Sequence, residues 1–195
     1  MIQIRLPNHQ VEELVQIVHK HKAIYEFLVR VQELKISNYY IGAGCITQTT
    51  WNYLSDFPLE YGIKDVDFVY FDDNDLSEEK ENQVKSQIEK IFPNYPFEID
   101  VKNEARVHLW YKSRFGYEIQ PYRSVEEAID TWPTTATSLG IRKTSHEWNV
   151  YAPYGLDDLF NKVVRPNKRQ ITKEIYDNKV KRWKEQWSDL RIEPW

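Results

Sequence analysis

Apolar residues recur at Val11, Leu14, Val15 and Val18, and again at Tyr25, Leu28 and Val29. Spacing of three and four places them on one helical stripe, which predicts one long helix or two shorter ones over residues 10–34. The polar stretch His19-Lys20-His21-Lys22 is where such a helix would break. Residues 38–41 read as a short strand entering the turn Gly42-Ala43-Gly44, and residues 46–54 as the helix leaving it. Alternation then sets in. Val66, Phe68 and Tyr70 fall on one side of a strand over residues 65–71, with Asp65, Asp67, Val69 and Phe71 on the other.

A helix is expected over residues 77–92, with Ser77 as N-cap, Glu78 and Glu79 facing the helix dipole, and Pro93 as terminator. A strand over 97–102 and a helix over 104–114 follow. Ser124-Val125-Glu126-Glu127 is a capping box for a helix to about residue 131, which Trp132-Pro133 ends. Residues 138–143 and 147–151 read as a β-hairpin. A short helix starts near Gly155, Arg165-Pro166-Asn167 interrupts it, and Thr172 caps a last helix to Trp187, with Ile175, Val180, Trp183 and Trp187 as its packing stripe. Strands alternating with helices from Tyr39 onward predict an α+β fold, a mixed β-sheet flanked by helices with a helical C-terminal extension. The expected organisation is one domain over residues 1–195: an N-terminal helical segment (1–36), a core (37–151) and the extension (152–195).

Composition narrows the function classes. The chain has 195 residues, 41% of them hydrophobic and 14% aromatic, enough for one packed core. A net charge of -4 argues against nucleic-acid binding by bulk charge, although a local basic patch stays open. No run approaches the ~20 apolar residues that span a bilayer, and no signal-peptide pattern is present, so a cytoplasmic location and no membrane partner are expected. A single cysteine, Cys45, excludes an intrachain disulfide and a Cys-based zinc site.

The candidate chemistry lies in the glycine turn and the acids. Asp65 and Asp67 are two apart on a strand and so project from one face, and Asp100 ends another apolar segment whose period also carries Glu98. Carboxylates beside a turn that leads into a helix N-terminus suit a hard divalent cation and a phosphate. Backbone groups of Gly42 and Gly44, with Cys45, Thr47 and Gln48 in the first helical turn, are candidates for holding phosphate. A tight strand-to-helix corner would ask for the same glycines. Arg106, then His108, Trp110 and Arg114, could line a substrate wall, with an amphipathic helix as the alternative. Thr134, Thr135 and Thr137 offer hydroxyls to phosphate, ribose or acceptor, or simply close a turn. Arg142 is expected near the same face. Asp72-Asp73-Asn74-Asp75 lacks EF-hand ligand order and reads as a solvated turn. His19 and His21 diverge on a helix and share no metal. Lys168, Arg169, Lys173, Lys179, Lys181, Arg182 and Lys184 interleave with the aromatic residues of the last helix, which fits either a solvated face or an RNA- or acceptor-binding surface.

The turn and the Asp-Val-Asp strand resemble the nucleotidyltransferase superfamily of the DNA polymerase beta type, in which a Gly-(Gly/Ser) turn precedes an Asp-hydrophobic-(Asp/Glu) strand and a third acid follows. Gly-Ala-Gly-Cys-Ile, Arg-Val-His-Leu-Trp-Tyr and Trp-Pro-Thr-Thr-Ala-Thr are similar to phrases of a bacterial nucleotidyltransferase-like family, from about Tyr40 onward. The resemblance selects Asp100, in Asp-Val-Lys-Asn, as the third acid. It implies a sheet of the polymerase-beta type and an Mg²⁺ (or Mn²⁺) site of Asp65, Asp67 and Asp100. It also implies transfer of a nucleoside monophosphate from an NTP to an unidentified acceptor, whether small molecule, protein or RNA. Two other classes remain: a non-catalytic nucleotide-binding module of the same fold, and a nucleic-acid-binding protein using the basic aromatic C-terminal helix.

Overall fold

A computed structural model describes residues 6–195. The N-terminal periodicity resolves into two helices, α1 (Asn8–Lys20) and α2 (Lys22–Arg30), followed by a 3-10 turn at Val31–Leu34. The break falls at His21, whose backbone is extended and whose Nδ1 accepts a hydrogen bond from the Ile24 amide at 3.3 Å, capping α2. Leu14, Ile17 and Val18 from α1 and Ile24, Phe27 and Leu28 from α2 are the buried stripes.

The central sheet comprises β1 (Tyr39–Gly42), β2 (Asp65–Tyr70), β3 (Glu98–Asn103), β4 (Gly140–Lys143) and β5 (Trp148–Tyr151), in the order β3-β2-β1-β4-β5. It is mixed: β2 and β3 run parallel, and the other neighbours are antiparallel. The parallel pair needs a crossover, which α4 (Glu78–Ile91) supplies. Ser77 caps α4 by accepting from the Lys80 amide at 3.2 Å. Helix α3 (Gly44–Leu54) begins two residues earlier than the apolar pattern suggests, directly at the glycine turn.

One face of the sheet carries Ile41, Val66, Phe68, Ile99, Val101 and Ile141 into the main core, against the N-terminal helices and α4. The other carries Tyr40 and Val69 into a smaller cluster with Val125 and Ile129 of α6 (Val125–Ile129). Burial on both faces explains why all of β1 is apolar or glycine. After β3, a 3-10 turn (Glu104–Arg106) leads into α5 (Val107–Phe115), which ends at Gly116 in the left-handed conformation.

The C-terminal segment differs from an all-helical extension. Between α7 (Asp157–Phe160) and the long α8 (Lys173–Gln186) lies β6 (Val163–Val164), which pairs in parallel with β7 (Arg191–Ile192). Leu159, Val164, Tyr176, Trp183, Trp187 and Leu190 join the main core, so this segment packs as part of the body. Among the described residues no helix is long and apolar enough to cross a membrane.

Candidate active site

Strand register builds a row. Gly42 of β1 lies opposite Asp67 of β2, and Asp67 lies beside Asp100 of β3, so the turn and two acids stand next to one another across three strands. Asp65 is on the same face, paired in register with Glu98. Asp65 is exposed at the strand's start, whereas Asp67 and Asp100 are half-buried.

At the end of β1 the chain turns sharply into α3. Gly42 is required by close approach: a Cβ there would meet the Leu139 carbonyl oxygen at 2.6 Å and the Trp132 ring at 2.8 Å. The strained backbone belongs not to either glycine but to Ala43 between them, with φ 51 and ψ -126. Its amide donates to Leu139 O at 3.1 Å. Non-glycine residues in such regions cost ~1–3 kcal/mol. Ala43→Gly, which gives back ~0.5–1 kcal/mol in chain entropy, is expected to raise stability by about 1 kcal/mol, read as a Tm increase of about 2–4 °C. An unchanged or lower Tm would show that the turn carries no strain. The first helical bond here is Thr47 N–H to Ala43 O, and no side chain caps the helix. Among the described residues the amides of Gly44, Cys45 and Ile46 have no acceptor, which leaves them and the helix dipole facing the end of the acid row.

The electrostatics of the row are those of crowded anions. Burial, then the neighbouring charges of Asp65 and Asp100, push the Asp67 carboxyl up to about 7. Glu104, buried just past β3 and without a hydrogen-bond or ion-pair partner among the described residues, is pushed up to about 8 by burial and then by Asp67. Lys102, two residues beyond Asp100 on the same face, forms an ion pair with it. Hard carboxylate oxygens crowded in one row are the donor chemistry of a divalent cation, and in that respect the residues fit one. Among the described residues, no three His, Cys, Asp or Glu side chains are gathered closely enough to enclose an ion, and Asp100 is turned to Lys102.

The mixed five-stranded sheet agrees with what protein comparison finds. The sequence model of a family described as "Nucleotidyltransferase" matches residues 29–192. The chain belongs to this nucleotidyltransferase family. It is also similar to a solved NMR structure described as revealing a CCA-adding enzyme head domain, with a TM-score of 0.73 and 24% identity over 92% of this chain and 95% of that one. At that identity the likeness is one of fold. No curated protein matches.

Several side chains expected at the nucleotidyltransferase site are occupied elsewhere. Cys45 is buried, its thiol pushed up by burial and donating to Gly42 O at 3.3 Å, so only its amide faces outward chemistry. Thr47 is buried and its hydroxyl donates to Ala136 O. Arg106 binds Glu81 at 2.6 Å and Leu76 O at 2.8 Å, tying the turn after β3 to α4. Thr134 and Thr137 bond to each other at 2.8 Å, and Thr135 donates to Asp158 at 2.6 Å, so the threonine loop is a closed turn. Arg142 reaches the other end of the sheet, donating to Ser37 O. Trp110 lies near Arg114 on α5, and His108 has a buried Nδ1. Gln48 alone of the first-turn side chains opens toward Asp65, in a small cavity of about 60 Å³.

The sequence left α8 open between a solvated face and an RNA- or acceptor-binding surface, and the fold brings part of it to this site. Arg182 and Gln186 line the same cavity as Gln48, Gly62, Lys64 and Asp65. Lys179, one turn earlier, is half-buried over the Trp183 ring at 5.1 Å. Burial lowers its ammonium, and the nearby charges of Asp67 and Asp65 oppose that, which places it beside the acids. A larger cleft, about 650 Å³, lies instead at the far end of the sheet between Lys35, Asp72, Lys80 and Arg123.

Proposed function

We propose that this chain transfers a nucleoside monophosphate from an NTP to an acceptor at the Asp65, Asp67 and Asp100 row. The observation that carries this is the register Gly42, Asp67, Asp100, with three amides of α3 at its end that have no acceptor among the described residues. Those amides are positioned to hold phosphate oxygens, as helix N-termini do. Asp65, Asp67 and Asp100 would hold Mg²⁺ or Mn²⁺, which when bound supplies charge neutralisation at the α-phosphorus and a more acidic attacking group. Asp100, which lies on the far side of Asp67 from the turn, would receive the acceptor's proton. For that role it must leave Lys102, whose ammonium could then contribute positive charge to the departing pyrophosphate.

The Lys102–Asp100 pair also favours a second reading, a module that binds nucleotide without turnover, because a carboxylate held by a lysine neither ligates nor accepts a proton. One experiment separates them. Wild type, Asp65→Asn and Asp100→Asn are titrated with Mg²⁺ and each NTP, and pyrophosphate release is followed with candidate small-molecule, protein and RNA acceptors. Transfer predicts metal-dependent binding in wild type, weakened NTP binding in Asp65→Asn, and retained binding without pyrophosphate release in Asp100→Asn. Equal behaviour of all three proteins sinks the metal-site reading. Binding without pyrophosphate from any acceptor supports the second.

A further inference from the structure

Alternation along β3 does not stop where the strand ends. Asn103 keeps an extended backbone, φ -83 and ψ 107, so the next residue, Glu104, returns to the face that carries Asp100 and Lys102. The turn that holds it is fixed at both ends. Asn103 Oδ1 accepts from the amides of Asp72 and Ala105 at 3.0 and 3.2 Å, and Arg106 is tied to Glu81 and to Leu76 O. Glu104 is thus held in place, buried and, among the described residues, without a hydrogen-bond or ion-pair partner. A buried carboxylate in that condition is costly unless it keeps its proton or a cation comes to it.

The cation beside it on the strand is Lys102, midway between Asp100 and Glu104 in the sequence. Residues two apart on a strand stand about 7 Å from each other, within the joint reach of a lysine and a carboxylate side chain. In the structure Lys102 pairs with Asp100. The pair is part-exposed, its side chains 31% and 38% accessible, so it can open without unpacking the core. On β2 the residue beside Lys102 is Val69, which offers no charge. The Lys102 charge already acts on Glu104, opposing the upward push of burial and of Asp67. An ammonium at Asp100 offsets the crowding of Asp65, Asp67 and Asp100, the task that a divalent cation would perform there, so the two compete for one carboxylate.

We infer that Lys102 is a movable counter-ion that holds Asp100 in the cation-free protein and turns to Glu104 when a divalent cation takes Asp100, so that Glu104, a positioning residue acting through Lys102, strengthens cation binding. The change asks only for a new lysine rotamer. Glu104 gives its proton to solvent as the ammonium arrives, and a costly buried acid becomes a paired one. Without Glu104 the displaced ammonium has no carboxylate to go to and competes longer for Asp100. This inference rests on the metal-site reading of the same row. It differs from the other course open to the freed lysine, contact with departing pyrophosphate, which makes no use of Glu104.

The test is calorimetric titration of Mn²⁺, without nucleotide, into wild type, Lys102→Met, Glu104→Gln and the double variant at pH 7. Lys102→Met should bind Mn²⁺ at least about threefold more tightly, the scale of one part-exposed ion pair removed as competitor. Glu104→Gln, nearly isosteric, should bind it at least about threefold more weakly. The double variant should match Lys102→Met within about twofold, because Glu104 has no part to play once the lysine is gone. A Glu104→Gln loss that persists in the double variant means that Glu104 acts by its own charge and overturns the inference, as does Glu104→Gln or Lys102→Met binding like wild type. A second readout needs no variant of Glu104: Mg²⁺ should move the Glu104 side-chain carboxyl ¹³C resonance toward that of an ionised carboxylate in wild type and leave it in place in Lys102→Met. A resonance that Mg²⁺ leaves unmoved in wild type, or moves equally in both proteins, overturns the inference. All these failures leave the metal site standing, whereas wild type that binds no Mn²⁺ sinks the site and the inference together.

Discussion

Replacing Asp67 with Asn is expected to abolish nucleotide transfer and, in metal-free protein, to raise stability. Both effects come from the same crowding. Asp67 stands between Gly42 and Asp100 in the register and is half-buried, so its charge acts at the centre of the row. Losing one preorganised charge at such a position costs at least about 10²–10³ in rate. The stability gain follows from linkage. Burial and the charges of Asp65 and Asp100 push the folded-state carboxyl up to about 7, above the ordinary value of about 3.9. A group raised in this way contributes stability that is complete below about pH 4 and is lost as pH rises through about 7. Asn carries no such proton. Asp67→Asn should therefore exceed wild type by up to about 4 kcal/mol at pH 8, a Tm gain of up to about 8–16 °C, with the gap closing toward pH 4. Glu104 titrates in the same direction near about 8, and because the Asp67 charge is the second cause of that rise, the variant also relieves Glu104, which widens the gap in the same direction at high pH. Thermal melts in EDTA from pH 4 to 8 measure the gap; a difference that does not vary with pH, or turnover retained by the variant, contradicts this account.

The acid pair was legible because it needs only local information: two residues apart on an alternating strand means one face. Its alignment with Gly42 and Asp100 was not, since register depends on how strands far apart in sequence pair. Arg106 and the threonines of 134–137 show a different limit. A guanidinium or hydroxyl has the same sequence signature whether it bonds substrate or its own fold, and here Glu81, Asp158 and neighbouring threonines claim them. Strain was expected at a glycine, yet the left-handed residue is Ala43, because Gly42 is needed for close packing under Trp132. In α8 the basic residues alternate with aromatics in a way that suits solvent and site equally. What decides between them is the neighbour, and the spacing of Lys179, Arg182 and Gln186 beside the tryptophan stripe was the available signal.

That neighbour makes Trp187→Ala the stability variant with the largest expected effect, and a long-range test of the site. Trp187 is fully buried and packs on Trp51 and Tyr61. Its indole N–H donates to Asn52 Oδ1 at 2.8 Å, while Asn52 Nδ2 donates to Leu59 O and Tyr61 O, fixing the loop that leads into β2. Gly62 in that loop is left-handed and so close to the indole that a Cβ would stand 2.8 Å from it. Truncation removes a large apolar surface, leaves a cavity and strands the Asn52 carbonyl oxygen without its donor. Buried Trp→Ala changes cost ~3–5 kcal/mol, and an unmade buried hydrogen bond adds ~1–3. Trp187→Phe, which fills most of the space and loses the donor, should cost about 1–3 kcal/mol, so the two variants separate packing from hydrogen bonding in denaturant titrations. Because Asn52 is on α3 and Trp187 follows α8, loosening this joint frees Arg182 and Gln186, which line the cavity beside Asp65, from the amide turn. Trp187→Phe should therefore bind NTP more weakly than wild type at a temperature where both are folded, with the acids untouched. Full NTP affinity in that variant would mean that α8 is not needed to hold the nucleotide.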